Sequence, residues 1–310
     1  MSSAVCTLFE GHYHLGAAAL ANSLWESGFR GRFICGLRGP LPPWAEPSRD
    51  AGLGVRVRDL GEGFEIWFVP LETRIHFTNY KPTFLNETWE GVAGSPERYY
   101  YLDPDIVVKC PWSVIHRWAE NGIAVSEDVN FYLPPGHPLR LEWKAWLAAQ
   151  TLELKRPSLD RYYSGGFIGV PQSERSYLKV WEEMIARVGK TIGSLSSIKT
   201  GGATSIFHTP DQDAMNVAFM ASTSPINAAG WESMDFAHGG HLLSHAIGGR
   251  KPWLGGFVKL ALQGYPPSLA AKAFLDYLDG PIEFFSSKQK AKLRRSLKMA
   301  AFIGRFYRRT

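Results

Sequence analysis

The sequence predicts an α/β domain built on an open, mixed central sheet, and three observations carry that prediction. Apolar runs of strand length alternate with longer runs at helical spacing, and stretches rich in Pro and Gly such as Gly39 to Pro43 separate them. The chain has 310 residues, of which 45% are hydrophobic, 20% charged and 13% aromatic, so it can bury a sizeable core and is far from the composition of a disordered or fibrous chain. No internal repeat and no obvious linker interrupts it, which favours one main domain, placed at residues 1–285.

Val5 to Phe9 reads as a short buried strand. The run from Leu15 to Trp25 places Leu15, Ala18, Ala19 and Trp25 near helical spacing, and Gly28 closes it. Strand-like runs follow at Phe33 to Leu37, Val55 to Leu60 and Ile66 to Val69. A helix is predicted from Lys81 to Trp89, with Pro82 as its second residue, leading into a strand from Tyr99 to Leu102 that stops at Asp103. Another helix follows Pro111, a strand spans Ile123 to Val125, and helices cover Tyr177 to Val188 and Asp211 to Ala221. The stretch from Gly189 to Thr209, rich in Gly, Ser and Thr, is predicted to be a long loop.

Composition narrows the function classes. Cys6, Cys35 and Cys110 are scattered and never in a CxxC spacing, which argues against a disulfide framework or thiolate zinc site and for a reducing, cytoplasmic setting. The first basic residue is Arg30 and Glu10 interrupts the first apolar stretch, unlike a secretory signal. The longest uncharged stretch, Ala214 to Trp231, is too polar to span a membrane. The net charge of +5 is a property of the C-terminus: nine Lys and Arg lie between Lys288 and Thr310 with no acid, leaving 25 basic against 29 acidic residues elsewhere. Interleaved with Leu293, Leu297, Phe302, Ile303 and Phe306, these charges make 286–310 a basic amphipathic segment, expected to contact an anionic membrane surface or to pack on the domain. No nucleic-acid module accompanies it, so no nucleic-acid partner is expected.

The sharpest motif is Asp103-Pro104-Asp105, between the apolar runs Tyr101-Leu102 and Ile106-Val107-Val108. In extended chain, residues two apart project to one side, so the acids would share a point at a strand end, where open α/β sheets bind ligands. Two carboxylates in a partly dry site make chemical sense around a hard divalent cation; read alone, the tripeptide also serves as a surface turn. Ser244-His245-Ala246-Ile247-Gly248-Gly249-Arg250-Lys251-Pro252-Trp253 offers an imidazole to complete such a site, glycines for close backbone approach to a phosphate, and a lysine as a point charge. A lone histidine is more often structural, and only its company makes it a candidate here. His241 and His245 have zinc-helix spacing, but Leu242 stands where HExxH needs Glu. Gly189-Lys190-Thr191 imitates a P-loop end, but Met184 occupies the place of its first glycine. Tyr163-Ser164-Gly165-Gly166-Phe167 leaves room for a sugar ring before a strand, and Pro210-Asp211-Gln212-Asp213 sets acids and an amide at a helix start. Taken singly, a β-bulge and a helix N-cap are the better explanations of these two.

In this order along one chain, the motifs resemble those of the family 8 glycosyltransferases, retaining enzymes of GT-A fold that use nucleotide sugars. The resemblance runs from Val5 to Trp253 and includes Cys6-Thr7-Leu8-Phe9-Glu10-Gly11-His12-Tyr13, the Asp-Pro-Asp, the small-residue strand, the Asp-Gln-Asp and HxxGxxKPW. It implies a Rossmann-like GT-A fold with Asp103, Asp105 and His245 as ligands of Mn²⁺ or Mg²⁺. It also implies Thr7, Glu10, Tyr13, Lys81, Pro104, Ser164, Gly165, Gly166, Gly248 and Lys251 as donor-binding residues, with Asp211 and Gln212 nearest the reacting sugar. Lys81 stands near a position where the family usually has Arg, and Ser164 where it has Asn. The expected partners are a nucleotide sugar, with UDP as the nucleotide, and a glycan acceptor, lipid-linked in the lipopolysaccharide-modifying members whose basic aromatic tails this C-terminus resembles. Such an enzyme would sit at the inner face of the cytoplasmic membrane. The rival readings are a sugar nucleotidyltransferase and a non-catalytic sugar-binding pseudoenzyme.

Overall fold

The computed structural model describes residues 2–202 and 205–309; Met1, Ala203, Thr204 and Thr310, which fall within stretches named above, lie outside the described residues. The first half of the chain forms β1 (Ser3–Glu10), α1 (His14–Glu26), β2 (Arg32–Arg38), β3 (Arg49–Asp50), β4 (Arg56–Asp59), β5 (Glu65–Pro70), α2 (Phe77–Thr88), β6 (Arg98–Leu102), β7 (Ile106–Val108), α3 (Trp112–Trp118), β8 (Ile123–Tyr132) and α4 (Pro138–Ala149). The second half forms β9 (Arg161–Pro171), α5 (Ser176–Ile192), α6 (Pro210–Met220), β10 (Ile226–Ala229), β11 (Leu243–His245), α7 (Phe257–Leu262), α8 (Leu269–Asp276) and α9 (Ser287–Ile303). The chain divides into two compact units, one of Met1–Leu8, Pro70–Leu102 and His116–Trp231, the other of Phe9–Val69, Asp103–Ile115 and Glu232–Thr310.

In the first unit the strands lie in the order β10, β8, β9, β6, β1. β1 is parallel to β6 and β10 to β8, while β9 runs antiparallel to both β6 and β8, so the sheet is mixed. Tyr99, Tyr100 and Tyr101 of β6 are all fully buried, as in a strand covered on both faces. Gly169 of β9 faces Tyr100, and a Cβ there would come within 2.7 Å of the ring, so only glycine admits this pairing. Helices α2, α5 and α6 pack together around Trp181 and Tyr177.

Several boundaries differ from expectation, among them the long loop expected from Gly189, whose first four residues continue α5 to Ile192. Helix α2 begins at Phe77, because His76 caps it by accepting the Thr78 N–H, and Pro82 lies inside the helix instead of starting it. Ser164, Gly165 and Gly166 lie within β9, not before it. Strand β8 continues past Val125 to Tyr132 through irregular pairing with β9, which hid it from a periodicity count.

In the second unit, β2, β5, β4 and β3 lie in that order, and β7 and β11 form a separate antiparallel pair. Helix α1 is buried along Gly16 to Leu24, and its Ser23 hydroxyl accepts the Val108 N–H (3.0 Å), fixing the helix to β7. The core gathers Val107, Trp253, Phe257, Phe274, Leu278 and Ala300. Helix α9 starts with a capping box between Ser286 and Gln289, and turns Leu293, Leu297 and Ile303 onto this core. Its Met299 and Phe302, with Phe306 and Tyr307 beyond, are exposed. Among the described residues no helix is long and apolar enough to cross a membrane.

Candidate functional site

In the second unit, the register of a short β-pair brings the first candidate residues together. β6 ends at Leu102 and β7 begins at Ile106, so Asp103-Pro104-Asp105 is the connecting turn, closed by the Ile106 N–H on the Asp103 carbonyl (3.0 Å). The acids therefore converge through a turn, where an extended strand end was expected. Antiparallel pairing sets His245 opposite Ile106, and the Ala246 N–H carries the ladder one step further to the Asp105 carbonyl (2.9 Å). His245 Nε2 then lies 3.1 Å from Asp105 Oδ1 and 3.8 Å from Asp103 Oδ2.

One ligand atom from each of Asp103, Asp105 and His245 can be chosen so that all lie within 4.8 Å of one another. Two carboxylates and an imidazole suit a hard to borderline divalent ion such as Mn²⁺ or Mg²⁺. His245 Nδ1 is buried with no hydrogen-bond partner among the described residues, so the polar contacts of the ring with the two acids run through Nε2. The turn is backed by Gly16, where a Cβ would come within 2.2 Å of the Pro104 carbonyl oxygen and 2.7 Å of the Trp253 ring. That close approach, unrecognised in the sequence, locks the Asp-Pro-Asp turn against α1.

Lys251 Nζ donates to Asp105 Oδ2 (2.6 Å) and to the Ala246 carbonyl (2.8 Å). Burial by itself would raise the Asp105 carboxyl, but His245 and then Lys251 outweigh it and hold this carboxyl well below the usual range. Lys251 also faces the Tyr13 ring at 5.8 Å. Burial raises the Tyr13 phenol above its ordinary value, with Lys251 opposing and Asp105 and Asp103 adding to the rise. Gly248 is exposed with φ +102°, backbone that a glycine adopts without strain.

Of the residues expected around a nucleoside, Glu10 pairs with Arg38 (2.7 Å), a partner the sequence did not suggest. Tyr13 stacks on His12 (4.9 Å), and His12 Nδ1 accepts the Trp253 indole N–H (2.8 Å), so the Trp of HxxGxxKPW supports this segment. Thr7 belongs to the first unit and is fully buried, its hydroxyl without a hydrogen-bond partner among the described residues.

The second cluster lies in the first unit, where the start of α6 meets β9. Residues four apart on a helix and two apart on a strand both advance by about 6 Å, so side chains of one can bond the backbone of the other in step. Asn216 accepts the Tyr163 N–H (2.8 Å) and donates to its carbonyl (2.9 Å), while Gln212 Oε1 accepts the Gly165 N–H (2.8 Å). Gly165 packs closely here: a Cβ there would lie 3.1 Å from Asp211 Oδ2 and 3.4 Å from Gln212 Cβ, so a larger residue would press on Asp211. Ser164 is buried, and its hydroxyl accepts the Gly166 N–H (3.3 Å).

Lys81 is 1% exposed and donates to Asp211 Oδ2 (3.0 Å) and the Gly165 carbonyl (2.8 Å), with the Tyr101 ring 5.0 Å away. Asp211 Oδ1 is buried with no hydrogen-bond partner among the described residues. Asp213 accepts from the Tyr162 hydroxyl (2.7 Å) and the Thr209 N–H (2.8 Å). Burial pushes its carboxyl up to about 7 despite those two bonds. Burial and the neighbouring Asp213 raise the Tyr162 phenol well above its ordinary value.

No protein-family model matches the sequence, and no curated protein matches it. Among solved structures, the chain is similar to the apo structure of the bifunctional glycosyltransferase WbbM, with 14% identity and a TM-score of 0.53. That match covers 96% of this chain and 52% of that one, so the chain spans about half of WbbM. It is also similar to the galactosyltransferase LgtC in complex with donor and acceptor sugar analogues, with 15% identity, a TM-score of 0.52, and coverage of 93% of this chain and 99% of that one. The fold is therefore the GT-A α/β fold that the sequence predicted.

Proposed function

We propose that the protein is a metal-dependent glycosyltransferase of the family 8 kind, moving a sugar from a nucleoside diphosphate donor to a hydroxyl of a glycan acceptor with retention at the anomeric carbon. The observation that carries this reading is the convergence of Asp103, Asp105, His245 and Lys251, on a fold shared with two glycosyltransferases. The LgtC structure contains donor and acceptor sugar analogues, which supports a nucleotide-sugar donor and a glycan acceptor here. UDP is the nucleotide and Mn²⁺ the metal we favour.

In this reading Asp103, Asp105 and His245 hold the ion, Glu10, Tyr13, Pro104 and Gly248 are assigned to the nucleotide, and Thr7 is assigned to the nucleoside. A divalent ion supplies Lewis-acid neutralisation of charge on the leaving diphosphate. Lys251 adds a point charge to the same phosphates, and the Gly248-Gly249 backbone can approach them without side-chain hindrance. Asp211, Ser164, Gly165 and Gly166 are assigned to the donor sugar, with Lys81 fixing Asp211. Gln212 serves as a stabiliser near the anomeric carbon, since an amide is a weak nucleophile. Because the Gly165 N–H occupies Gln212 Oε1, the amide NH₂ is oriented away from that bond. Retention would follow if the acceptor attacks on the leaving-group face and a diphosphate oxygen takes its proton.

The test is UDP release from UDP-sugars in Mn²⁺. An enzyme of this class releases UDP slowly even without acceptor and stops when EDTA removes the metal; a sugar-binding protein releases none.

Residues 286–310 we assign to an anionic membrane surface, at the cytoplasmic face where a lipid-linked acceptor such as lipopolysaccharide core would be presented. Leu293, Leu297 and Ile303 are spent on the core, so the apolar contact falls to Phe302, Phe306 and Tyr307 together with Leu262 and Tyr265, all exposed. Lys290 and Arg294 pair with Asp279, and the other basic residues of the segment are exposed. Flotation with anionic but not neutral vesicles, lost on truncation after Ser287, is the expected result.

A further inference from the structure

The strongest unexplained contact is the one between Lys251 and Asp105, since each already has another assignment in the proposed function. Asp105 is a candidate metal ligand, Lys251 a candidate diphosphate contact, yet here they bond each other at 2.6 Å with side chains only 7% and 8% exposed. Lys251 reaches this position because the 3₁₀ turn Pro252–Leu254 begins directly after it, and Trp253 is buried in the core cluster. Its Nζ is held on one side by the Ala246 carbonyl and on the other by Asp105 Oδ2, while Asp105 Oδ1 faces His245.

A divalent ion bound to Asp105 would share its carboxylate with an ammonium, and two cations on one buried carboxylate repel strongly. A diphosphate relieves this, because it brings negative charge that both cations can share. Resting on the proposed function, we infer that Lys251 is an exchangeable counter-ion: it leaves Asp105 for the diphosphate as the metal binds, so that metal and nucleotide load the site cooperatively. Lys251 is thus the residue that makes metal affinity depend on nucleotide. The Ala246 carbonyl is its pivot, close enough to be kept through a swing of the ammonium.

The linkage is reciprocal and can be read without turnover. Mn²⁺ affinity is measured on the full chain from the spin-resonance signal of free Mn²⁺, with and without saturating UDP, for wild type and Lys251→Met. In wild type UDP should tighten Mn²⁺ binding by about tenfold or more, a coupling of ordinary allosteric size. Lys251→Met should bind Mn²⁺ more tightly without UDP, and the factor gained from UDP should shrink at least about threefold, since no release remains to be driven.

An ammonium that merely repels the metal from a fixed position would change Mn²⁺ affinity but leave the UDP factor unaltered. An unaltered factor therefore overturns the inference while leaving the metal site standing. Failure of wild type to bind Mn²⁺ with or without UDP overturns the metal reading and this inference with it. Lys251→Gln, which can still donate to the Ala246 carbonyl, repeats the measurement if the Met variant melts early.

Discussion

Two Asp-x-Asp tripeptides occupy the two units, Asp103-Pro104-Asp105 in a turn and Asp211-Gln212-Asp213 in the first turn of a helix, and the same spacing does opposite things in each. In the turn, both carboxylates converge on His245. On the helix, successive residues rotate by about 100°, so residues two apart point in nearly opposite directions. Asp211 turns to Lys81 and Asp213 to Tyr162. The carboxyl follows its company: His245 and Lys251 hold Asp105 well below the usual range, whereas Asp213, buried with only neutral donors, is pushed up to about 7. Spacing alone thus does not identify a metal site; the backbone on which the acids ride decides it.

The largest expected effect sharpens this contrast. Asp105→Asn keeps the shape of the side chain and its capacity to accept from Lys251, but it removes a charge that the proposed divalent ion would need. Mn²⁺-dependent UDP release should fall by about 10²–10³-fold, the scale of losing a main electrostatic element of a transition state. Asp213→Asn, near neutrality, replaces a carboxyl that is already about half protonated and that meets only neutral donors, and should lose far less. Comparable losses from the two would erase the distinction between the tripeptides, and full activity in Asp105→Asn would remove the metal assignment.

What the sequence disclosed and concealed divides along physical lines. The strand of β6, the buried helix α1 and the helices α5 and α6 were legible because their apolar residues recur at the right period or run unbroken. The start of α2 was missed because its cap is the imidazole of His76, outside the usual Ser, Thr, Asp and Asn signals; α4 uses the same device at His137. The candidate metal ligands were legible as types, but their meeting depends on a register between segments far apart in sequence. Partners such as Lys251 for Asp105, Arg38 for Glu10 and Tyr162 for Asp213 leave no local trace at all. Nor does a single glycine announce that, like Gly16, it must admit a carbonyl oxygen.

The smallest expected effect concerns stability, and it tests the other half of the comparison. An aspartate in an unfolded chain titrates near about 3.9, and Asp213 in the fold near about 7. Between those values the folded chain holds a proton that the unfolded chain has released. Stability therefore falls as pH rises through this window, is fully present below it and levels off above it. From pH 5 to pH 8 this one group should cost wild type about 3 kcal/mol, at 1.36 kcal/mol for each of the roughly two units of the shift that lie inside the range. Asp213→Asn cannot lose that proton, and its amide can still accept from Tyr162. Urea unfolding of both proteins at pH 5 and pH 8 isolates the term, because every other titrating group is common to them. A smaller decline in the variant is the expected result. Parallel declines would mean that Asp213 is ionised in the fold at pH 5, and that the two tripeptides differ in geometry but not in charge.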